Sequence, residues 1–182
     1  MSRAKRPVAI AAAVIGLQLA AVWLYLRVER SRRPAATFTT TALPGTPAPS
    51  LIAARPDGAT LDVADGRGRV RLIHFWATWC EPCRTELPEL LRRSRAVPDL
   101  ELVAVAVDDD WPAIAGFFPA GVPPEIVRAR DRDAHRRYGT QGLPDSYVMA
   151  ADGRLVERIA GARDWSRPVA QRYLQALPGR WP

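Results

Sequence analysis

The feature that most constrains the fold is a cysteine pair placed between an apolar run and a helical pattern. Cys80 and Cys83 are the only two cysteines of the 182-residue chain. They follow the apolar run 70–76 and open a stretch, 80–95, with leucines at helical spacing. A cysteine at a helix N-terminus is stabilised as thiolate by the helix dipole and by free N–H donors. A second cysteine one turn later can attack a mixed disulfide and release the product. The pattern therefore predicts disulfide exchange.

Two other uses of the pair fit less well. Half of a zinc site would need further soft ligands, but only His74 and His135 remain, and neither has finger-like spacing. A purely structural disulfide would close a very short loop and would stabilise the fold only weakly.

The net charge of +7 is concentrated at the N-terminus. Residues 1–33 contain seven Lys or Arg and one Glu, whereas residues 34–182 contain 19 basic and 18 acidic residues. This distribution argues against nucleic-acid binding, which needs a basic face on the folded part. Lys5 is the only lysine, so the domain has no lysine for Schiff-base chemistry.

Residues 8–26 predict a membrane anchor, because Gln18 is their only polar side chain. As a helix they would span ~28 Å, close to the ~30 Å hydrocarbon core of a bilayer. A cleaved signal peptide is the alternative, but its apolar region usually covers only ~7–15 residues and precedes a small-residue cleavage site. Here arginines follow instead. We expect a cytoplasmic N-terminus over 1–7 and an uncleaved signal-anchor helix over 8–26, although charges on both sides leave the orientation open.

The remaining sequence predicts a tether and one domain. Residues 27–50 are rich in Arg, Pro, Thr and Ala, which favours an extended tether. Residues 51–63, around the turn signal Pro56-Asp57-Gly58, predict a small N-terminal β-hairpin. The strands and helices expected after it are, in chain order, a strand over 70–76, a helix over 80–95, a strand over 100–107, a helix from Asp110 towards Phe118, a strand over 126–129, a helix over 133–138, strands over 146–150 and 155–160, and a helix from Asp164 to about Ala176. This order predicts an α/β domain over 51–178, with a mixed central sheet flanked by helices and a tail over 179–182.

Two segments together resemble a known family. Residues 75–83 (Phe-Trp-Ala-Thr-Trp-Cys-Glu-Pro-Cys), with Gly142-Leu143-Pro144 and the hairpin that follows, resemble the TlpA/ResA-like membrane-anchored branch of the thioredoxin superfamily. The resemblance covers about residues 45–178. It implies a thioredoxin fold and a periplasmic catalytic domain held by a single-pass anchor in the cytoplasmic membrane. It also implies reduction of protein disulfides, including those of apocytochrome c, with electrons from an integral-membrane thiol donor and no cofactor beyond the redox-active disulfide Cys80–Cys83.

Each residue of the Cys-Glu-Pro-Cys turn has an expected role. Cys80 is the exposed nucleophile and Cys83 the shielded resolving thiol. Pro82 stiffens the first helical turn and has no N–H to leave unpaired. Glu81 places a carboxylate near the Cys80 thiolate, and like charge disfavours the anion. A less stabilised thiolate makes a better reductant, so we expect a potential nearer the ~−270 mV of thioredoxin than the ~−120 mV of a strong oxidant.

The resemblance assigns further residues around this turn. Pro144 matches a cis-proline that lies against the disulfide, which would turn the Leu143 backbone towards the sulfurs for strand-like pairing with substrate. A plain proline at a strand entry is the alternative. Glu86 matches an acidic residue three positions after the second cysteine, where it could tune the thiol pKa. The alternative is an ordinary acidic residue in a first helical turn.

His74 departs from the family pattern, which has Asp or Asn six residues before the first cysteine. A neutral His74 could accept the Cys83 proton during resolution. A buried histidine bonded to a backbone carbonyl is the favoured interpretation.

Other notable side chains have simpler expectations. Trp79 should shield the sulfurs and offer an apolar contact to substrate, whereas Trp76 belongs to the core. His135 is expected at the surface. Asp108–Asp110 is expected to be a helix-capping loop rather than a metal site.

Two competing functions stay open from the sequence. One is a disulfide oxidase or isomerase on the same fold, which the potential of the cysteine pair would distinguish. The other is a non-catalytic thioredoxin-like module that binds a partner or a copper ion through the two thiols.

Overall fold

The computed structural model describes two separate parts of the chain. The described residues are 15–25, 38–66, 68–107, 110–131 and 133–182. They fall into two compact units, 1–37 and 38–182. In the first unit, helix α1 is described over residues 15–25, and its large apolar side chains are exposed. Within these ranges no helix combines the length and the apolar character that crossing a membrane requires. The predicted anchor over 8–26 and the N-terminus over 1–7 lie partly or wholly outside the described residues.

The second unit is a single mixed sheet with helices packed on it. In chain order its elements are β1 (Thr41–Pro47), β2 (Ile52–Ala54), β3 (Thr60–Asp62), β4 (Val70–Trp76), α2 (Glu81–Ser94), β5 (Leu100–Ala106), α3 (Trp111–Phe117), β6 (Ile126–Ala129), α4 (Ala134–Arg137), β7 (Asp145–Met149), β8 (Arg154–Ala160) and α5 (Pro168–Arg180). The strand order is β1-β8-β7-β4-β5-β6-β2-β3. Strand β5 runs parallel to β4 and β6, and the other pairs are antiparallel. The predicted α/β domain with a mixed sheet is confirmed.

Strand β4 lies near the middle of the sheet and is buried along its whole length. Its alternate side chains enter two apolar clusters, because successive residues of a strand point to opposite faces. Trp76 packs on the face covered by Leu87 and Leu90 of α2, whereas Phe75 packs on the opposite face. This double burial explains why 70–76 is almost continuously apolar. It also places the cysteine turn directly at the C-terminal end of a rigid strand.

The tether predicted over 27–50 is wrong for its C-terminal part. Thr41–Pro47 forms β1, which pairs antiparallel with β8 and is irregular between Ala42 and Thr46. Gly45 lies at that irregularity with φ +72°. Because β1 is an edge strand, it tolerates prolines that an inner strand would exclude. The compact unit therefore starts at Phe38, well before the predicted domain start at 51; residues 26–37 lie outside the described residues.

The hairpin predicted over 51–63 is confirmed as β2 and β3. The last helix was predicted to begin at Asp164, which is wrong: α5 begins at Pro168. Asp164 instead accepts a hydrogen bond from the N–H of Ser166 at 3.0 Å, which forms a separate turn. Proline suits a first helical position because its missing N–H would have no partner there. The helix runs on to Arg180, so 179–182 is not a separate tail.

Candidate active site

The two cysteines form a disulfide at the N-terminus of α2. Their Cα atoms are 5.3 Å apart and the S–S distance is 2.05 Å. Cys80 is the N-cap residue, and its Sγ accepts a hydrogen bond from the N–H of Cys83 at 3.3 Å. Pro82 lies in the first turn, as predicted, and Glu81 is exposed beside it. The Cys80 sulfur therefore lies where the free N–H groups of the helix start converge.

The sulfurs are less open than the sequence suggested. Cys80 is only 5% exposed and Cys83 is fully buried. Cys83 is shielded, as predicted, but the predicted exposure of Cys80 is wrong, because both cysteines pack in the apolar cluster that includes Trp76 and Ala77. Only a small part of Cys80 is thus open to solvent.

Trp79 does not shield the sulfurs as predicted. Its side chain is 71% exposed, because it belongs to the surface turn just before α2. It lines a groove of about 640 Å³, together with Val107, Leu143 and neighbouring residues of the 140–143 loop. Trp76 is buried, as expected, and packs against Phe117 at a centroid distance of 5.5 Å.

The second segment of the site follows this loop. The Leu143–Pro144 peptide bond is cis, as the resemblance implied. Leu143 lines the groove beside Trp79, and the carbonyl of Pro144 accepts a hydrogen bond from the N–H of Gly161 at 3.0 Å. Two motifs that lie about sixty residues apart in sequence therefore each contribute residues to one groove, Trp79 from the first and Leu143 from the second.

His74 lies fully buried in β4. Its Nδ1 is 2.8 Å from the Ser146 hydroxyl oxygen, so the predicted backbone carbonyl partner is wrong. Its Nε2 lies 3.6 Å from Oε1 of Glu86. Burial lowers the pKa of His74 to about 3, and the imidazole is neutral at physiological pH.

Glu86 is also buried, although the sequence allowed an ordinary surface residue. Its Oε2 accepts a hydrogen bond from the N–H of Arg163. Burial raises the pKa of Glu86 to about 7, against the opposing effects of the Arg163 N–H, the Trp165 indole and the Arg163 charge. Since Glu86 follows Cys83 by three residues on the buried face of α2, a carboxyl that titrates near neutrality lies one helical turn from Cys83.

Sequence reasoning missed the partners of these two groups. Ser146 lies opposite His74 in the antiparallel β4–β7 register, and Arg163 reaches Glu86 from the loop between β8 and α5. The only available signal was that 70–76 and 146–150 were both expected strands of one sheet. Their register depends on tertiary packing rather than on either segment alone.

The remaining candidates have modest roles. Asp110 caps α3 by accepting a hydrogen bond from the N–H of Ala113 at 2.9 Å, as predicted, whereas Asp108 and Asp109 lie outside the described residues. His135 is half-buried rather than at the surface, and its ring lies 6.3 Å from that of Phe75. In the part of the chain that the structure describes, no group of three or more His, Cys, Asp or Glu side chains could hold a metal ion.

The family model described as Redoxin matches residues 43–174, which is most of the chain. The chain belongs to the Redoxin family. This redoxin is 31% identical over 160 residues to the thiol:disulfide interchange protein DsbE homolog of Paracoccus denitrificans, covering 85% of this chain and 82% of that protein. It is 32% identical to the thiol:disulfide interchange protein HelX of Rhodobacter capsulatus, covering 66% and 70%.

Further similarities agree with this assignment. The chain is 28% identical to the thiol-disulfide oxidoreductase ResA of Bacillus subtilis, covering 64% of this chain and 67% of that protein. The structure superposes on a thiol:disulfide interchange protein of Chlorobium tepidum with a TM-score of 0.58 and 27% identity, covering 74% and 99%. The redoxin therefore has a thioredoxin-like fold and is a TlpA/ResA-like thiol–disulfide oxidoreductase.

Proposed function

We propose that this redoxin reduces protein disulfides on the extracytoplasmic side of a membrane. The observation that carries the proposal is the order of the two sulfurs: Cys80 is reachable at the helix start, and Cys83 lies fully buried behind it. The Cys80 thiolate attacks one sulfur of a substrate disulfide, which forms a mixed disulfide and releases one substrate thiolate. The Cys83 thiolate then attacks Cys80, releases the second substrate thiolate and leaves the Cys80–Cys83 disulfide. Two electrons pass from the protein to the substrate.

The surroundings of Cys80 favour the reducing direction. One N–H, from Cys83, donates to its sulfur, and the helix dipole adds to this stabilisation. Near-complete burial of Cys80 and the neighbouring carboxylate of Glu81 both disfavour the anion. A strongly stabilised Cys80 thiolate would favour the reduced form of the protein and make its disulfide an oxidant. A moderately stabilised thiolate leaves the dithiol a reductant.

The groove next to Cys80 supports a peptide substrate. Trp79 offers a large exposed apolar surface on one part of the groove, and Leu143 lies on another. An extended segment around the substrate cysteine could lie between them and pair with the backbone of Leu143 as an added strand. We include apocytochrome c in the proposed substrate class, on the resemblance to TlpA/ResA-like proteins.

The N-terminal segment supports membrane attachment. Residues 8–26 carry one polar side chain, Gln18, and α1 exposes large apolar side chains such as Leu17 and Leu19. We propose that this segment anchors the protein in the cytoplasmic membrane with the redoxin domain in the periplasm. An integral-membrane thiol carrier would then supply the electrons.

The reduction potential of the cysteine pair tests the direction of electron flow. The full chain is equilibrated in dithiothreitol redox buffers, and free thiols are quantified by alkylation and mass spectrometry. We expect a potential nearer ~−270 mV than ~−120 mV. A value near the second figure would reverse the proposed direction and support a disulfide oxidase. The variant in which both cysteines are replaced by serine is the control for background alkylation.

A further inference from the structure

We propose that Thr140, Asp145, Tyr147 and Arg158 act together as positioning residues, here called the loop clamp, which sets the affinity of the groove for peptide disulfides. The clamp holds loop 141–144, which forms one wall of the groove, and Thr140 itself also lines the groove. The inference deepens the proposed function and depends on it.

A single hydroxyl group joins the two ends of the loop. Thr140 Oγ1, just before the loop, donates to the Tyr147 hydroxyl oxygen at 3.2 Å. The same hydroxyl donates to Oδ2 of Asp145, just after the loop, at 3.0 Å. All three residues are buried. Burial raises the pKa of Tyr147 to about 12, so the hydroxyl keeps the proton that it donates to Asp145.

Arg158 fixes this junction to the sheet. Its Nε lies 3.1 Å from Oδ1 of Asp145, and its Nη2 lies 2.8 Å from Oδ2. Its guanidinium carbon lies 5.6 Å from the centroid of the Tyr147 ring. A two-pronged arginine–carboxylate contact holds direction as well as distance. Because Arg158 lies on β8, opposite Tyr147 of β7, the loop ends are tied to two paired strands.

The clamp matters for peptides because the loop contributes several residues to the lining of the groove. Gln141, Gly142 and Leu143 line it together with Trp79. A wall that must be ordered when the peptide binds lowers its affinity, whereas a wall held in place beforehand does not. A very small disulfide, which touches little beyond Cys80, gains nothing from a fixed wall. The clamp should therefore discriminate between these two kinds of substrate.

Tyr147→Phe tests the clamp, because it removes the bridging hydroxyl and keeps the aromatic ring. The matched control is Tyr138→Phe, in the same aromatic cluster at a centroid distance of 5.6 Å from Tyr147. The Tyr138 hydroxyl donates to the carbonyl of Pro49 at 2.8 Å, outside the loop. The two probes are a synthetic decapeptide with one internal disulfide and hydroxyethyl disulfide, each assayed with the reduced full chain.

We expect Tyr147→Phe to raise KM for the decapeptide about three- to tenfold, because the substitution removes the two hydrogen bonds through which this hydroxyl holds the loop ends. The kcat value and the rate with hydroxyethyl disulfide should stay within about twofold, and Tyr138→Phe should change neither. Thr140→Val should also raise KM, and the double variant should be no worse than Tyr147→Phe alone, because that substitution already removes the hydrogen bond from Thr140.

Three outcomes would overturn the inference. Unchanged KM for the decapeptide in both clamp variants would show that the loop needs no clamp. An equal loss of activity with both probes would indicate general structural damage. An equal rise in KM for the decapeptide in Tyr138→Phe would show that the effect is not specific to the loop clamp. If the unmodified protein exchanged with neither probe, the proposed function would fail first.

Discussion

Replacing Cys80 with alanine is expected to abolish turnover, by at least about a thousandfold, whereas Cys83→Ala is expected to stop the reaction after its first step. Removal of a nucleophile takes away the covalent route itself. Cys80 is the more exposed of the two cysteines, and its Sγ accepts a hydrogen bond from the N–H of Cys83. Because alanine keeps its own N–H at position 83, Cys83→Ala retains that donor. The attack by Cys80 should therefore survive while resolution is lost.

The measurement is mass spectrometry of each reduced variant after exposure to hydroxyethyl disulfide. Cys83→Ala should accumulate one adduct on Cys80, and Cys80→Ala should form little adduct in the same time. Comparable adduct formation on Cys83 in the Cys80→Ala protein would contradict the assigned order. In cells, the same Cys83→Ala protein should retain its substrates as mixed disulfides for identification, with the double alanine variant as the control.

Glu86→Gln is expected to change how stability depends on pH between about 4.5 and 7. Burial raises the pKa of Glu86 to about 7 from its ordinary 4.5. Its contribution to stability is therefore fully present below 4.5 and is lost as pH rises through 7. At 1.36 kcal/mol for each pH unit between the two values, the loss is about 3 kcal/mol. The variant should gain stability relative to the unmodified protein across this range by up to that amount.

The titration of His74 changes the stability with pH in the opposite direction. Burial lowers its pKa to about 3 from 6.5, so its contribution is present above 6.5 and is lost as pH falls through 3. Between about pH 4.5 and 6.5 the two groups offset each other in the unmodified protein. His74→Asn should remove the compensation, and its stability should fall more steeply as pH rises towards 7.

Urea unfolding of the oxidised full chain at a series of pH values measures both effects. Glu89→Gln is the matched control, because Glu89 lies one turn further along α2 and is hydrogen-bonded to Arg92, which lowers its pKa to about 2. That variant should show no pH-dependent difference from the unmodified protein between 4.5 and 7. If the free energy of unfolding of Glu86→Gln also differed from that of the unmodified protein by a constant amount at every pH, the Glu86 carboxyl would not titrate in this range.

The parts of the fold that the sequence predicted are those with strong local patterns. Strand β4 is predominantly apolar, apart from Arg71 and His74, because both of its faces are buried, and α3 begins at an Asp-Trp-Pro cap that can be recognised in isolation. The start of α5 was misplaced because Asp164 has equally good cap chemistry and uses it for a short turn. Local rules could not decide between that aspartate and Pro168.

The features of the candidate site also fall into those that local sequence predicts and those that it does not. Cys80, Cys83 and the cis Leu143–Pro144 bond belong to motifs that can be read from the chain or from its family resemblance. The outward direction of Trp79 and the contact between His74 and Glu86 depend on how α2 packs on β4. The loop clamp depends on the pairing of β7 with β8, which brings Arg158 to Asp145. Such contacts follow from tertiary packing and have no local signature.

Strand β1 determines how far the chain can be shortened from its N-terminus without exposing an inner strand of the sheet. It pairs with the outer edge of β8, and Phe38, just before β1, packs against the rings of Tyr173 and Trp165. A fragment that starts at residue 51 would leave β8 as an edge strand with unpaired amide and carbonyl groups, which can pair with a strand of another molecule. Such a fragment is expected to self-associate, whereas a fragment that begins at Phe38 keeps β8 paired with β1.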